Sequence, residues 1–151
     1  MNQQNVCDAL QYVGTQVSGI ESAYSEPPLK MDTAMLPCFY VLMGAASYDQ
    51  ESLGDDFGLE QRTYSCRVAI AAEAEAKPNL LEVRSRVLIP LVRDGLLKYA
   101  ALHSLSDAPL NMTINSDTGV IRLPEYGGGY FGFGFTVTVQ TVFTRTFAAG
   151  E

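Results

Sequence analysis

The chain contains no tryptophan, one histidine and three cysteines in 151 residues. The cysteines, Cys7, Cys38 and Cys66, lie far apart and form no CxxC pair or Cys/His cluster, so none of the usual zinc-binding spacings is present. Each falls among apolar neighbours, as free cysteines in protein cores commonly do. We therefore expect three reduced core cysteines and predict no metal site.

Charged residues are also scarce. They make up 18% of the chain against 47% hydrophobic residues, and 10 Lys and Arg face 17 Asp and Glu, which gives a formal net charge of −7. This balance argues against a protein that binds nucleic acid by neutralising phosphates. It is compatible with a surface past which DNA slides, because like charge keeps DNA from adhering. A chain with so few charges can also hide part of its surface against other subunits.

Long hydrophobic runs are missing as well. No apolar segment approaches the roughly 20 residues of a membrane span. The N-terminal residues 1–5 are polar and lack the basic and apolar regions of a signal peptide. We expect a soluble protein made in a cytoplasm, with no membrane partner. The length predicts one domain over 1–151, large enough to form a core without metals or disulfides.

The most regular pattern that is present lies near the C-terminus. From Phe131 to Phe143 every odd position is Phe, Val or Thr, and only Val142 interrupts the small or polar even positions. This period of two predicts a long strand with one apolar face and one small, hydroxylated face. The preceding glycines, 127–129, lack the lysine of a phosphate-binding loop and lead into a strand, so they predict a turn or bulge.

The remaining elements follow from apolar spacing and from turn residues. Pro90 lies inside the second predicted helix, where we expect a kink or a break. The order of helix, strands, helix, strands predicts a single α+β domain with a mostly antiparallel sheet and both helices on one face. In chain order the predicted elements are a helix over 4–17, a hairpin over 37–72, a helix over 78–99, strands over 110–144 and a loose tail over 147–151.

The densest group of charges falls in the predicted loop of the hairpin, residues 47–60. It allows three interpretations: a solvated hairpin tip, a loop that contacts a neighbouring subunit or lines a channel, and a calcium or magnesium site. The acids do not follow the EF-hand spacing, so no metal is assigned. Our hypothesis is an interface or lumen loop, with the side chains Asp49, Glu51, Asp55, Asp56 and Glu60.

No motif for catalysis is present. His103 is the only histidine, and the adjacent Ser104 would point in a different direction along any regular element. A GxSxG sequence or another nucleophile signature is absent. We expect His103 at the surface or at a helix end, and we predict no catalytic residue, no bound cofactor and no enzymatic activity.

In order and spacing, several segments together resemble the tail terminator family of long-tailed bacteriophages, also called tail completion or neck proteins. None of them is a catalytic motif, and the resemblance extends over most of the chain. The segments are the amphipathic N-terminal helix, Ala23–Pro28, the apolar strand Pro37–Gly44, Arg62–Tyr64, Val87–Val92 within the second helix, and Ile121–Gly128 before the alternating last strand.

The resemblance implies a small α+β structural subunit of the virion, located at the head–tail junction. Such a subunit is expected to form a ring of six copies that caps the tail tube and ends tube polymerisation. The ring would also join the tail to the head–tail connector or stopper protein and let DNA pass through its lumen without specific binding. No motif fixes the family's contact residues, so none is transferred to this chain.

Two alternatives stay open at this point. One is another protein of the same junction, such as a connector, a stopper or a tail tube subunit, although a tube subunit should polymerise by itself. The other is a small α+β ligand-binding or enzymatic domain outside viruses. That alternative predicts a pocket with convergent polar groups beneath the helix of residues 78–99.

Overall fold

A computed structural model describes residues 3–49, 57–98 and 111–144 of the chain. The α+β fold class is confirmed, the two helices agree with their predicted bounds to within one residue, and the two hairpin strands are longer than predicted. The predicted tail over 147–151 and His103 lie outside the described residues. In chain order the helices and strands are α1 Gln3–Gln16, β1 Ser22–Ala23, β2 Cys38–Asp49, β3 Phe57–Ala72, α2 Pro78–Lys98, β4 Asn111–Asp117, β5 Ile121–Arg122 and β6 Tyr130–Thr144.

The six strands form one sheet in the order β1-β2-β3-β6-β4, and the short β5 pairs with β6 as well. All pairs are antiparallel except β1 with β2. The last described strand, β6, therefore lies inside the sheet between β3 and β4. Its position matches its sequence, since an inner strand covered on one side reads as strict alternation of apolar and polar residues.

The main core lies between one face of the sheet and both helices, as predicted. The apolar odd positions of β6 point into this core: Phe133, Val137 and Val139 are almost completely buried. Leu10 of α1 and Val92 of α2 cover them from the helix side. The alternation in β6 thus sets which face of the sheet receives the helices.

The opposite face of the sheet, hereafter the far face, is covered over only part of its area. Residues 24–37 and 123–130 lie across it and form a second apolar cluster around Tyr40 and Leu123. Two tyrosines attach these segments to one another: the Tyr126 hydroxyl donates to the Pro28 carbonyl at 2.7 Å, and the Tyr130 hydroxyl donates to the Met31 carbonyl at 2.7 Å.

The break considered at Pro90 is absent, because α2 runs as one helix from Pro78 to Lys98. A proline removes a single backbone hydrogen bond within a helix. Leu88 and Val92, on either side of it, are buried in the main core. Packing of the helix on both sides of Pro90 compensates for the missing bond.

The burial of the cysteines leads to a pH-dependent prediction for Cys66. Its side chain is fully buried, and this burial raises the pKa of the thiol from 9.0 to about 12. The unfolded thiol loses its proton near pH 9 and the folded one does not, so the free energy of unfolding is unaffected below that pH and falls as the pH rises toward 12. Because the thiolate is the reactive form, we expect alkylation of Cys66 only at strongly alkaline pH, by way of unfolding.

Mass spectrometry after alkylation across the pH range checks this expectation, and the half-buried Cys7 serves as the internal control. At neutral pH Cys7 should react first, while Cys38 and Cys66 react only after denaturant is added. Modification of Cys66 at neutral pH as fast as that of Cys7 would contradict the packing described above.

Candidate functional site

Both ends of the proposed acidic loop, residues 47–60, belong to strands in the structure. β2 continues to Asp49 and β3 begins at Phe57, so the strands extend well into the predicted loop. Asp49 is exposed at the end of β2 and lies opposite Leu59. Glu51, Asp55 and Asp56 fall outside the described residues. The proposed cluster is therefore described only at its two ends.

Glu60 does not lie at a solvated hairpin tip, and the interface or lumen role proposed for this loop stays a prediction. Glu60 lies within β3 on the helix side, and only 7% of its surface is exposed. Its carboxylate accepts hydrogen bonds from Arg62 Nε at 2.6 Å and from Gln3 Nε2 at 3.3 Å. Arg62 also donates to the Tyr48 hydroxyl and to the Gly44 carbonyl. Glu60 thus joins the start of α1 to the hairpin, which is a structural role.

A second buried polar group lies on the far face. The Arg67 Nε is 3.0 Å from Glu125 Oε1, and the Tyr40 hydroxyl donates to the same oxygen at 3.2 Å. Burial and then the neighbouring Glu125 carboxylate raise the pKa of Tyr40, which keeps its hydroxyl protonated as a donor. The other carboxylate oxygen of Glu125, Oε2, is buried without a hydrogen-bond partner. This network connects β2, β3 and the segment before β6. Its residues do not line the cavity described below.

Three rows in the uncovered part of the far face are polar and uncharged. Directly opposed residues on β3 and β6 place hydroxyl and amide groups there in successive rows. β4 extends these rows, and the Asn115 side chain donates to the Thr138 hydroxyl at 2.8 Å. The rows on β3 and β6 are Gln61 with Gln140, Thr63 with Thr138, and Ser65 with Thr136. These side chains offer hydrogen bonds but no group for acid–base chemistry at neutral pH.

The outer face of α2 carries a row of exposed apolar side chains at helical spacing, which we call the α2 stripe: Leu80, Val83, Val87 and Leu91. The exposed fractions of Val83 and Val87 reach 57% and 58%. Exposed apolar groups that lie side by side mark interaction surfaces more often than single ones do. The stripe is the most continuous apolar surface on the helices of the described part of the chain.

A cavity of about 310 Å³ lies at the start of α2. Its lining includes the charged side chains of Glu75, Lys77 and Arg84 together with Leu36 and Ile70. The volume is at the lower limit for a small-molecule site. This is the place that a ligand-binding alternative would use. Within residues 3–49, 57–98 and 111–144, no group of three or more His, Cys, Asp or Glu side chains could hold a metal ion.

The chain was compared with known proteins. A scan against protein-family models finds no matching family, and a search of curated proteins finds no match. Among the described helices, none combines the length and the apolar character that a membrane crossing requires. The function therefore has to be inferred from the residues and the geometry of the chain itself.

Sequence reasoning missed both the Glu60 and the Arg67–Glu125 contacts. A signal for the first was available, because residues two apart in a strand share a face and Glu60 precedes Arg62 by two. No local signal existed for the second, since Arg67 and Glu125 are 58 positions apart. The α2 stripe was visible as helical spacing, but the sequence did not distinguish its exposed members from the buried ones.

Proposed function

We propose that this chain is a structural subunit of a phage tail that closes with other copies into a ring of six. In this proposal the ring caps the tail tube, ends its polymerisation and joins it to the head–tail connector. DNA passes through the lumen without specific binding. The order and spacing of the segments that resemble tail terminators support this function, and so does the fold class that such a subunit requires.

The observation that carries the proposal is the α2 stripe. Val83, Val87 and Leu91 expose apolar surface in a chain that has few charges with which to keep it soluble. Protein surfaces of this kind are commonly covered by another protein. A subunit that works only in an assembly can keep such a surface, because the assembly buries it. We propose that the stripe connects the ring to the next component of the tail.

A connector, stopper or tube subunit would share this feature. A terminator and a tube subunit differ in what they do to the tube. A terminator stops growth of the tube at its end, while a tube subunit polymerises by itself.

The cavity at the start of α2 carries a second candidate function, a small-ligand-binding module. The lining has two cations, Lys77 and Arg84, against the one carboxylate of Glu75, and this excess would give the module a preference for anionic ligands.

The test combines imaging with a capping assay. The purified protein is sized in solution with and without magnesium, imaged by negative-stain electron microscopy, and added to polymerising tail tubes of a phage that carries it. We expect closed six-fold rings and tubes of limited length. The Val87→Lys variant should lose capping about tenfold or more, because burying its charge against a partner is unfavourable.

The matched control is Val142→Lys, which places the same charge on a β6 side chain of similar exposure, 53%, away from the stripe. It should cap like the wild-type chain. Unlimited tube growth in the presence of the wild-type protein would contradict the terminator function. If the protein also stays monomeric and an anionic ligand raises its unfolding temperature, the ligand-binding module becomes the better account.

A further inference from the structure

The sheet has two open edges on opposite sides. β1 covers only the beginning of β2, at Cys38 and Phe39. Beyond this point the outer edge of β2, from Val41 to Tyr48, has no strand partner within the described part of the chain. The same holds for the outer edge of β4, Asn111–Asp117. Two different edges on one chain are what a head-to-tail contact between copies requires.

The two open edges lie at the same level of the sheet. Tracing the opposed residues across all four long strands shows that β4 extends over the same rows as the open part of β2. The rows are Ser47–Gln61–Gln140–Asn111, Met43–Tyr64–Val137–Ile114 and Val41–Cys66–Phe135–Asp117. A neighbouring copy placed beside the first without any shift along the strands would therefore bring the whole of β4 against open β2.

The strand directions are also compatible. β2, β3, β6 and β4 alternate in direction, because each adjacent pair is antiparallel. β4 consequently runs opposite to β2. If β4 of one copy is placed beside β2 of the next copy in the same orientation, the new pair is antiparallel too, and the alternation continues across the boundary between copies.

The apolar side chains on the helix side of the two edges also match. On the helix side, β2 exposes Met43 by 58% and Tyr48 by 54%, and β4 presents the half-buried Met112 and Ile114 at the rim of the main core. A neighbouring β4 would place apolar side chains beside the exposed Met43. On the far face, Ser47 would lie opposite Asn111 and extend that row into the next copy, and Leu42 would lie opposite Ser116.

Neither edge carries the lysine or proline that protects many natural edge strands against pairing. Natural edge strands avoid association by means of lysine, proline or bulges. Residues 41–48 and Asn111–Asp117 contain no lysine, arginine or proline. Each contains one bulge, and in β2 the carbonyls of Gly44 and Ala45 at the bulge accept hydrogen bonds from Arg62 and Thr63 of β3. The bulges bend the two strands, and the one charged side chain at these two edges is Asp117, at the end of β4.

We propose that β4 of one copy pairs antiparallel with the open part of β2 in the next copy. This joint rests on the proposed ring and names the surface that closes it. Because the contact joins two different edges, each copy uses both, and a rotation of one sixth of a turn per copy would close the proposed ring of six. The second copy of this chain is the only partner that the joint requires.

Disulfide trapping tests the joint on the full-length chain with Cys7 replaced by serine. Directly opposed residues in antiparallel strands have Cα atoms about 5 Å apart, within reach of a disulfide. Ser47→Cys and Asn111→Cys in one chain should give a ladder of covalent oligomers on oxidation. The pair Ser47→Cys and Thr113→Cys covers a shift of two residues along the strand.

The single variants provide the control for direction. Each should give no covalent dimer alone, and a mixture of the Ser47→Cys and Asn111→Cys chains should give dimers and nothing larger. Covalent dimers from one single variant would indicate a two-fold contact and overturn the joint. Rings by electron microscopy without any ladder from either pair would overturn the joint and leave the ring function standing. Neither rings nor ladders at millimolar concentration would count against both.

A second measurement does not depend on cysteine chemistry. Met43→Lys places a charge at the apolar side of the joint, and we expect the dissociation constant between copies to rise about tenfold or more. Val142→Lys, with similar exposure on an inner strand, should leave it within about twofold. Circular dichroism and the unfolding temperature verify that both variants are folded. Equal effects of the two variants would exclude the open edge of β2 as the contact.

Discussion

Replacement of Gly132 by alanine is expected to prevent the sheet from forming in its present register. Gly132 of β6 lies opposite Ala69, where β3 contains a bulge. A Cβ atom at this position would overlap the backbone carbonyl of Val68 and lie 3.0 Å from the Ala69 Cα. Both contacts involve backbone of the paired strand, which cannot rotate away. We expect a loss of at least about 3 kcal/mol in the free energy of unfolding, the upper end for overpacking.

Gly134→Ala provides the matched control on the same strand. There the added Cβ would lie 2.8 Å from the Arg67 Cδ atom, and a small movement of this side chain, within reach of Glu125, relieves the overlap without moving the backbone of β3. The expected loss is about 1 kcal/mol. Urea unfolding followed by circular dichroism measures both variants. Equal stability of Gly132→Ala and Gly134→Ala would mean that β3 and β6 approach each other less closely at the bulge than described.

Removal of the Arg67 side chain should have the second large effect. Only 16% of the Arg67 side chain and 13% of the Glu125 side chain are exposed, and Glu125 Oε2 is already without a partner. Arg67→Met leaves a buried carboxylate with the Tyr40 hydroxyl as its one remaining side-chain donor among the contacts described. Breaking a buried pair from one side costs about 3–5 kcal/mol.

The double variant Arg67→Met/Glu125→Gln distinguishes the loss of the ion pair from the cost of burying an unpaired charge. Without a charge to bury, it should recover most of the lost stability. Arg86→Met is the control at the surface, since its pair with Glu82 is exposed by 73% and 55%, and the expected change is about 0.5 kcal/mol. If Arg67→Met is no more harmful than Arg86→Met, the carboxylate is better solvated than its surroundings indicate.

The elements of the fold could be predicted because their signals are local. The two-residue alternation of β6 and the apolar spacing of α1 depend only on which face of each element is buried, and neighbouring residues report that face. The partners of β6 could not be predicted in the same way. Nothing near Tyr130–Thr144 indicates that it pairs with β3 on one side and β4 on the other, because pairing depends on residues far away in the chain.

The candidate surfaces show the same limit. The acidic residues of the hairpin could be found by composition. The burial of Glu60, however, depends on Arg62, two residues further along the same strand, and on Gln3 of α1, 57 positions away in the chain. The alignment of the two open edges in the same rows of the sheet follows from the register of three strand pairs. Register is a property of the assembled sheet, so a single sequence does not report it.

The internal position of β6 has a consequence during synthesis of the chain. A ribosome makes β2, β3 and β4 before Tyr130–Thr144, yet β3 and β4 are held together only through β6. Until that segment emerges, the β3 edge of the β2–β3 hairpin is unpaired, and β4 has no partner among the described strands. Nascent chains therefore cannot present both edges in one sheet, and the proposed joining of copies would be restricted to molecules whose synthesis has passed β6. In the proposed ring, the order of the strands would act as a check on completeness before any copy meets the next.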